Sequence, residues 1–239
     1  MLDVRDDGGV RVVTFDRPEA RNAFNFALYR AVTVAVEEAA TDEGVRAVVL
    51  TGRGTAFTSG QDLGEMAEIA AGTAPPGIEK GFRGLLDAVE GLDKPLLAAV
   101  NGPAVGLGFT LLAHCDLVLV DESARMRAPF AEMGVPPEAA SSYLFPLRLG
   151  WPQAARVLLA AEWLSAAEAV QLGLALRVCP DGRVVEETLV LARRIAGYPP
   201  AGVREIKQLM RAPHTDAIRR ARAAEEDGFR RLLGRPAAE

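Results

Sequence analysis

Two glycine-rich stretches carry the residues best able to do chemistry. They are Thr51-Gly52-Arg53-Gly54-Thr55-Ala56-Phe57-Thr58-Ser59-Gly60-Gln61-Asp62-Leu63 and Val100-Asn101-Gly102-Pro103-Ala104-Val105-Gly106-Leu107-Gly108-Phe109. Each follows a short apolar run and leads into a helical pattern, and in an α/β sheet ligands bind at such strand-to-helix turns. Glycine lets backbone approach a ligand closely, and the first N–H groups of a helix are unpaired and sit at its positive end. A phosphate cradle is not encoded. Leu111 stands where a dinucleotide fingerprint needs its third glycine, and no Gly-Lys-Ser/Thr follows either turn. Two turns offering N–H groups to a common point suit one oxygen atom, which is an oxyanion hole. Tight helix–sheet packing is the other reading of the same glycines.

Other polar residues are less informative locally. Asp62 reads as the cap of the helix that follows it. Glu138, after Pro136-Pro137, reads locally as an exposed first-turn glutamate favourable to the helix dipole. His114 has the flanks of a core histidine, and neither it nor His214 belongs to a metal-ligand cluster. Cys115 and Cys179 lack paired spacing and read as small buried hydrophobes of a reducing compartment.

The elements that must hold these residues alternate. Val10–Phe15 is β-branched and alternating, as a strand beside the Gly8-Gly9 turn should be. Residues 47–52, 95–102 and 115–120 are uniformly apolar runs of the kind found in buried parallel strands. Asn22 is expected to cap a helix over 24–40, with further helices near 63–71, 78–90 and 106–113. Strand and helix in turn argue for an α/β fold with crossover helices. From Pro136 onward helices dominate, near 139–148, 151–160, 165–172, 183–197, 200–210 and 215–233, with one strand at 176–179. Pro199-Pro200 opens a helical appendage, dividing the chain into a core, 1–197, and a C-terminal oligomerisation region, 198–239. Ala71–Gly77 reads as a flexible surface loop.

The 239 residues suit one large domain or a core with an appendage, and 49% hydrophobic with 25% charged residues is a globular composition. A formal charge of -5 gives no general reason to bind nucleic acid or an anionic membrane. No apolar run is long enough to span a bilayer, and Met1–Asp7 lacks the layout of a secretion signal, so a cytoplasmic protein is expected.

Taken together, these segments resemble the crotonase (enoyl-CoA hydratase/isomerase) superfamily. The likeness runs through Asp16-Arg17-Pro18, Ala20-Arg21-Asn22-Ala23, Ala56 to Leu63, Lys94 to Gly108, Cys115-Asp116, Leu164 to Ala169 and Gln171 to Ala175, in order and over nearly the whole chain. It implies a ββα spiral core with a helical C-terminal region, and homotrimers that can pair into homohexamers. It implies an acyl-CoA thioester as substrate, with no permanently bound cofactor, and the unclustered histidines argue against a metal. The carbonyl oxygen would accept from the backbone N–H groups of Gln61 and Leu107, in a pocket built with Ser59, Gly60, Asp62, Gly106, Phe109, Thr110 and Phe130. Arg21, Arg53 and Lys207 are candidates for the CoA phosphates.

The side chains separate the family's reactions. Hydratases resembling this chain carry two glutamates, and those positions hold Thr110 and Phe130. Pro137-Glu138-Ala139-Ala140-Ser141-Ser142-Tyr143-Leu144-Phe145-Pro146 resembles instead the peroxisomal-type Δ3,Δ2-enoyl-CoA isomerases, and puts the single catalytic carboxylate on Glu138. An isomerase needs one base, which takes a C2 proton and returns it at C4. Phe130, Phe109 and Leu107 would keep that base in apolar surroundings and raise its pKa toward working pH. Hydration or another crotonase reaction, and a non-catalytic acyl-CoA-binding scaffold, are the alternatives.

Overall fold

The computed structural model describes residues 1–71, 73 and 79–232. The Ala71–Gly77 loop expectation thus falls almost wholly outside the described residues, as does the end of the C-terminal region. In chain order the elements are β1 (Leu2–Asp7), β2 (Val10–Phe15), α1 (Phe26–Thr41), β3 (Ala47–Gly52), α2 (Leu63–Ala71) and α3 (Glu79–Gly91). Next come β4 (Leu96–Val100), β5 (Ala104–Val105), α4 (Leu107–Leu112), β6 (Leu117–Asp121), β7 (Arg125–Arg127), α5 (Ser141–Leu149) and α6 (Trp151–Leu159). The chain finishes with β8 (Leu164–Ser165), α7 (Ala166–Gln171), β9 (Arg177–Cys179), α8 (Val184–Ala196), α9 (Pro200–Arg211) and α10 (Thr215–Leu232).

Among the described residues one sheet runs β1-β2-β3-β4-β6-β9, parallel except for the β1–β2 hairpin, and a smaller one runs β5-β7-β8. A long strand, a short strand of the second sheet and a helix recur as β4-β5-α4 and again as β6-β7-α5. The β3-to-α2 crossover follows the same path, with Thr58 bridging to Ala104 of the small sheet. This is the ββα spiral. Both faces of the large sheet are covered, which is why its strands are continuously apolar. Val10, Val12, Val49, Leu97 and Leu119 pack toward Leu189 and Ala192 of α8, while Val13, Phe15, Leu50 and Ala98 face α1 and α3. No described helix is long and apolar enough to cross a membrane.

Asn22 does not cap α1. Asn25 does, its side chain accepting from Leu28 N–H at 2.9 Å, so the helix starts two residues later than expected. Asn22 is fully buried with a left-handed backbone (φ 57°). Its Oδ1 accepts from Arg17 N–H at 2.9 Å, and its Nδ2 donates to Arg53 O at 2.9 Å and Ala56 O at 2.8 Å. A satisfied buried amide of this kind pins the turn after β3 to the segment before α1.

Candidate active site

The two glycine turns pack against each other. Gly60 has φ +90°, and a β-carbon built on it would stand 2.6 Å from Val105 O and 3.5 Å from Leu107 N. Only glycine fits there. The Gly60 carbonyl accepts from Phe24 N–H at 2.7 Å. In a trans peptide the carbonyl and the next N–H point opposite ways, so the Gln61 N–H is turned directly away from Phe24. The Gly106 carbonyl accepts from Phe109 and Thr110 N–H inside α4, and the Leu107 N–H therefore points back out of the helix N-terminus. Among the described residues neither amide donates to a protein oxygen.

Both residues line one cavity of about 440 Å³. Its wall is largely apolar, with Leu63, Met66, Phe130, Met133, Val135 and Phe229 among its members, and it also contains Ser59, Asp62, Gly106 and Glu138. Two carboxylates therefore face it among the described residues. Asp62 is already committed: Oδ2 accepts twice from Arg17 at 3.1 Å, and Oδ1 accepts from Gly64 N–H at 3.0 Å as a helix cap. Glu138 has no such partner among the described residues. It is 9% exposed, and burial, with a smaller contribution from the Glu225 charge, pushes its pKa from 4.5 up to about 8. The local reading of Glu138 as an exposed first-turn glutamate is thus overturned. It sits ahead of α5, in a loop, and faces inward.

That loop is bent sharply. Ala139 (φ 58°) and Ala140 (φ 55°) are both left-handed, a conformation costing an L-residue roughly 1–2 kcal/mol. Its hydrogen bonds offset the strain. His114 Nε2 lies 2.7 Å from the Ala139 carbonyl, which can only accept, so that ring nitrogen carries the hydrogen. Burial lowers the His114 pKa to about 4, leaving the ring neutral. Glu225 on α10 accepts from Ala140 N–H at 2.7 Å and from Ser142 N–H at 2.9 Å. Tyr143 turns away, its hydroxyl 2.8 Å from His214 Nδ1.

Several residues expected at the site lie elsewhere. Phe109 is fully buried against Phe145, with ring centroids 4.6 Å apart, because the α4 helix turns it into the core. Thr110 is also buried, and its Oγ1 donates to Leu107 O at 3.3 Å. Lys207 is nearly buried, donating to Lys94 O at 2.7 Å and Asp116 Oδ2 at 2.8 Å, and so is structural where a phosphate ligand was expected. Arg53 is held by Asp3 and Asp16 at 2.9 and 2.7 Å, away from the cavity lining. Arg21 is exposed and lies between Ala20 and Ala23, which do line the cavity. Glu225, His114 and Phe229 were missed as site residues. Their contributions arise from contacts across 25 to 91 positions of chain (114 to 139, 138 to 229), for which no local pattern exists.

A family model described as enoyl-CoA hydratase/isomerase matches residues 5–235. Enoyl-CoA delta isomerase 2 of Rattus norvegicus is 37% identical over 211 residues, covering 87% of this chain and 54% of the relative. The chain therefore spans about half the length of that protein. The 2,3-dehydroadipyl-CoA hydratase of Escherichia coli (strain K12) is 35% identical over 225 residues, covering 92% of this chain and 85% of the relative. The crystal structure of an enoyl-CoA hydratase/isomerase from Pseudoalteromonas atlantica T6c superposes with a TM-score of 0.90 at 38% identity, over 97% of this chain and 91% of that one.

Proposed function

The chain belongs to the enoyl-CoA hydratase/isomerase family, and from that premise we propose that it is a Δ3,Δ2-enoyl-CoA isomerase with Glu138 as its proton carrier. The observation that carries this reading is the isolation of Glu138, the one cavity-lining carboxylate among the described residues without a hydrogen-bond or cationic partner. In the forward step the Glu138 carboxylate takes the C2 proton of a 3-enoyl thioester. The electron pair moves toward the thioester oxygen, giving a dienolate held by the Gln61 and Leu107 N–H groups. The protonated Glu138 then delivers the same proton to C4, and the double bond comes to rest between C2 and C3. No water and no second acid are consumed. Each amide donor is worth about 3 kcal/mol at the dienolate. A base with a pKa near the working pH is suited to both halves of the cycle.

The isomerase name of the rat relative supports this choice, and the Escherichia coli hydratase relative supports a second reading, hydration. Hydration must both activate a water and protonate the α-carbon. Thr110 and Phe130, at the two positions where hydratase glutamates would stand, offer no carboxylate for it. The exposed apolar side chains Ile206, Leu209 and Met210 on α9 support association of copies into trimers or hexamers.

The test compares wild type with Glu138→Gln on 3-hexenoyl-CoA and on crotonyl-CoA in water. The isomerase reading expects conversion of 3-hexenoyl-CoA that Glu138→Gln abolishes, and little hydration of crotonyl-CoA. Undiminished conversion by the variant would remove Glu138 from the mechanism. Fast hydration by the wild type would move the protein to the second reading. Absence of C2 proton exchange in deuterated water would remove enolate chemistry altogether.

A further inference from the structure

Glu138 and Glu225 line one small void of about 30 Å³ together with Phe82, Leu86 and Phe229, and Arg222 and Glu226 also stand in its wall. Two neighbouring buried carboxylates cannot both ionise cheaply, and the one with hydrogen-bond donors ionises first. Glu225 has those donors, since its two oxygens accept from Ala140 N–H and Ser142 N–H. Burial raises its pKa, and these donors and the Arg222 charge oppose that shift, whereas among the described residues nothing opposes the shift of Glu138. We infer that Glu225 is the positioning residue of Glu138: its oxygens hold the left-handed Ala139–Ala140 turn that aims Glu138 into the cavity, and its charge makes Glu138 the member of the pair that carries the proton. The inference rests on the isomerase reading for its catalytic meaning but not for its electrostatics.

Other charged groups around Glu138 are spent on partners of their own. Arg222, one turn before Glu225 on α10, is bound to Asp87 at 2.8 Å and Glu90 at 3.0 Å. Glu226 is held by Arg83 at 2.7 Å. From α1 comes the Tyr29 phenol, buried, without a hydrogen-bond partner among the described residues and neutral, because burial raises its pKa further. From α2, Glu65 accepts from Phe26 N–H at 2.7 Å. His114, beyond α4, is neutral and donates to Ala139 O. Among the described residues Glu225 is left as the charge that acts on Glu138, and burial followed by that charge is the order of causes for its raised pKa.

The experiment labels the protein with glutamate enriched in carbon-13 at the side-chain carboxyl and follows the Glu138 resonance with pH, identified by its loss in Glu138→Gln. Wild type should titrate near pH 8. Glu225→Gln keeps the side-chain length and one acceptor oxygen, removes the charge, and should lower the midpoint by about one pH unit. The acid limb of kcat/KM for 3-hexenoyl-CoA should move down with it. Glu225→Asp keeps the charge and withdraws the oxygens from the turn. It should hold the midpoint near the wild-type value while kcat falls about tenfold or more. An unmoved midpoint in Glu225→Gln overturns the inference. Should that variant fail to fold, a midpoint that falls in Glu225→Asp overturns it equally. Full turnover by Glu138→Gln would instead sink the isomerase reading, and the titration would still decide whether Glu225 governs the proton on Glu138.

Discussion

A β-carbon on Gly60 would stand 2.6 Å from the carbonyl oxygen of Val105, so the turn after β3 and the turn after β4 are in contact through a glycine that nothing else can replace. The Thr58 hydroxyl sits behind this contact. Its Oγ1 accepts from Gly60 N–H at 3.0 Å and donates to Asn22 O at 2.7 Å. Gly60→Ala must therefore part the two turns, and the alanine must also bear φ +90°. Because the Gln61 amide is rigidly joined to the Gly60 carbonyl, that donor should move with it. We expect kcat/KM for 3-hexenoyl-CoA to fall about 100-fold, the loss typical of one oxyanion donor. Wild-type kcat/KM in a folded Gly60→Ala protein would show that this contact does not set the donor's place.

The pH dependence of stability follows from two buried groups of opposite sign. Folded Glu138 keeps its proton up to about pH 8, whereas the unfolded chain releases it near 4.5. The folded state then binds more protons than the unfolded one, so stability falls as pH rises through that window. His114 works the other way. Its pKa is 6.5 unfolded and about 4 folded, so stability falls as pH drops through 6.5 toward 4. The two slopes oppose one another below pH 6.5, and Glu138 acts without His114 between 6.5 and 8. Over that interval its contribution should cost the wild type about 2 kcal/mol, from 1.36 kcal/mol per pH unit. Urea unfolding of wild type and Glu138→Gln at both pH values checks this. The variant should lose markedly less, and parallel curves would mean that Glu138 is ionised in the fold.

His114 has its own test. Its Nε2–H is the donor that satisfies Ala139 O, one residue from Glu138. His114→Leu leaves that carbonyl buried without a donor, at a cost of about 1–3 kcal/mol. It also loosens the left-handed turn, so kcat should fall while KM holds. His114→Gln can still reach with an amide N–H and should recover part of both losses. If the leucine and glutamine variants behave alike, the hydrogen bond is not what holds the turn.

The parallel strands, the crossover helices and the glycine turns were legible in the sequence because each is written in neighbouring residues. Ala47–Gly52 and Leu96–Val100 are apolar without interruption because both sheet faces are covered. Gln61, Leu107 and Glu138, singled out by the resemblance, line one cavity, and their roles there are those proposed above. The failures share a different cause. Asn22 looked like a helix cap because its side chain suits one, yet it bonds across 31 and 34 positions to the β3 turn. Glu225 stands among the charged residues of an amphipathic helix, and only the packing of α10 on α5 makes it the acceptor for Ala140 and Ser142. Phe109 follows a glycine of the motif, but the pitch of α4 turns it from the cavity to Phe145.

Lys207 and Arg21 were both expected to meet CoA phosphates, and the structure separates them. Lys207 Nζ donates to Lys94 O and to Asp116 Oδ2, which also accepts from Leu96 N–H at 2.7 Å, so the lysine fastens α9 to the start of β4. Burial lowers its pKa and Asp116 opposes the shift, as a buried paired lysine requires. Lys207→Met should cost about 1–3 kcal/mol of stability, tempered by the partial exposure of Asp116, and leave KM for 3-hexenoyl-CoA unchanged. Arg21 is exposed beside the cavity-lining Ala20 and Ala23 and has no ion-pair partner among the described residues, so its charge can meet an anion at the rim. Arg21→Ala should raise KM several-fold, more at low salt than at high, with little change in melting temperature. The opposite pattern, a KM effect from Lys207 and none from Arg21, would place the phosphates at the starting ends of β4 and β6 and overturn the assignment of this cavity.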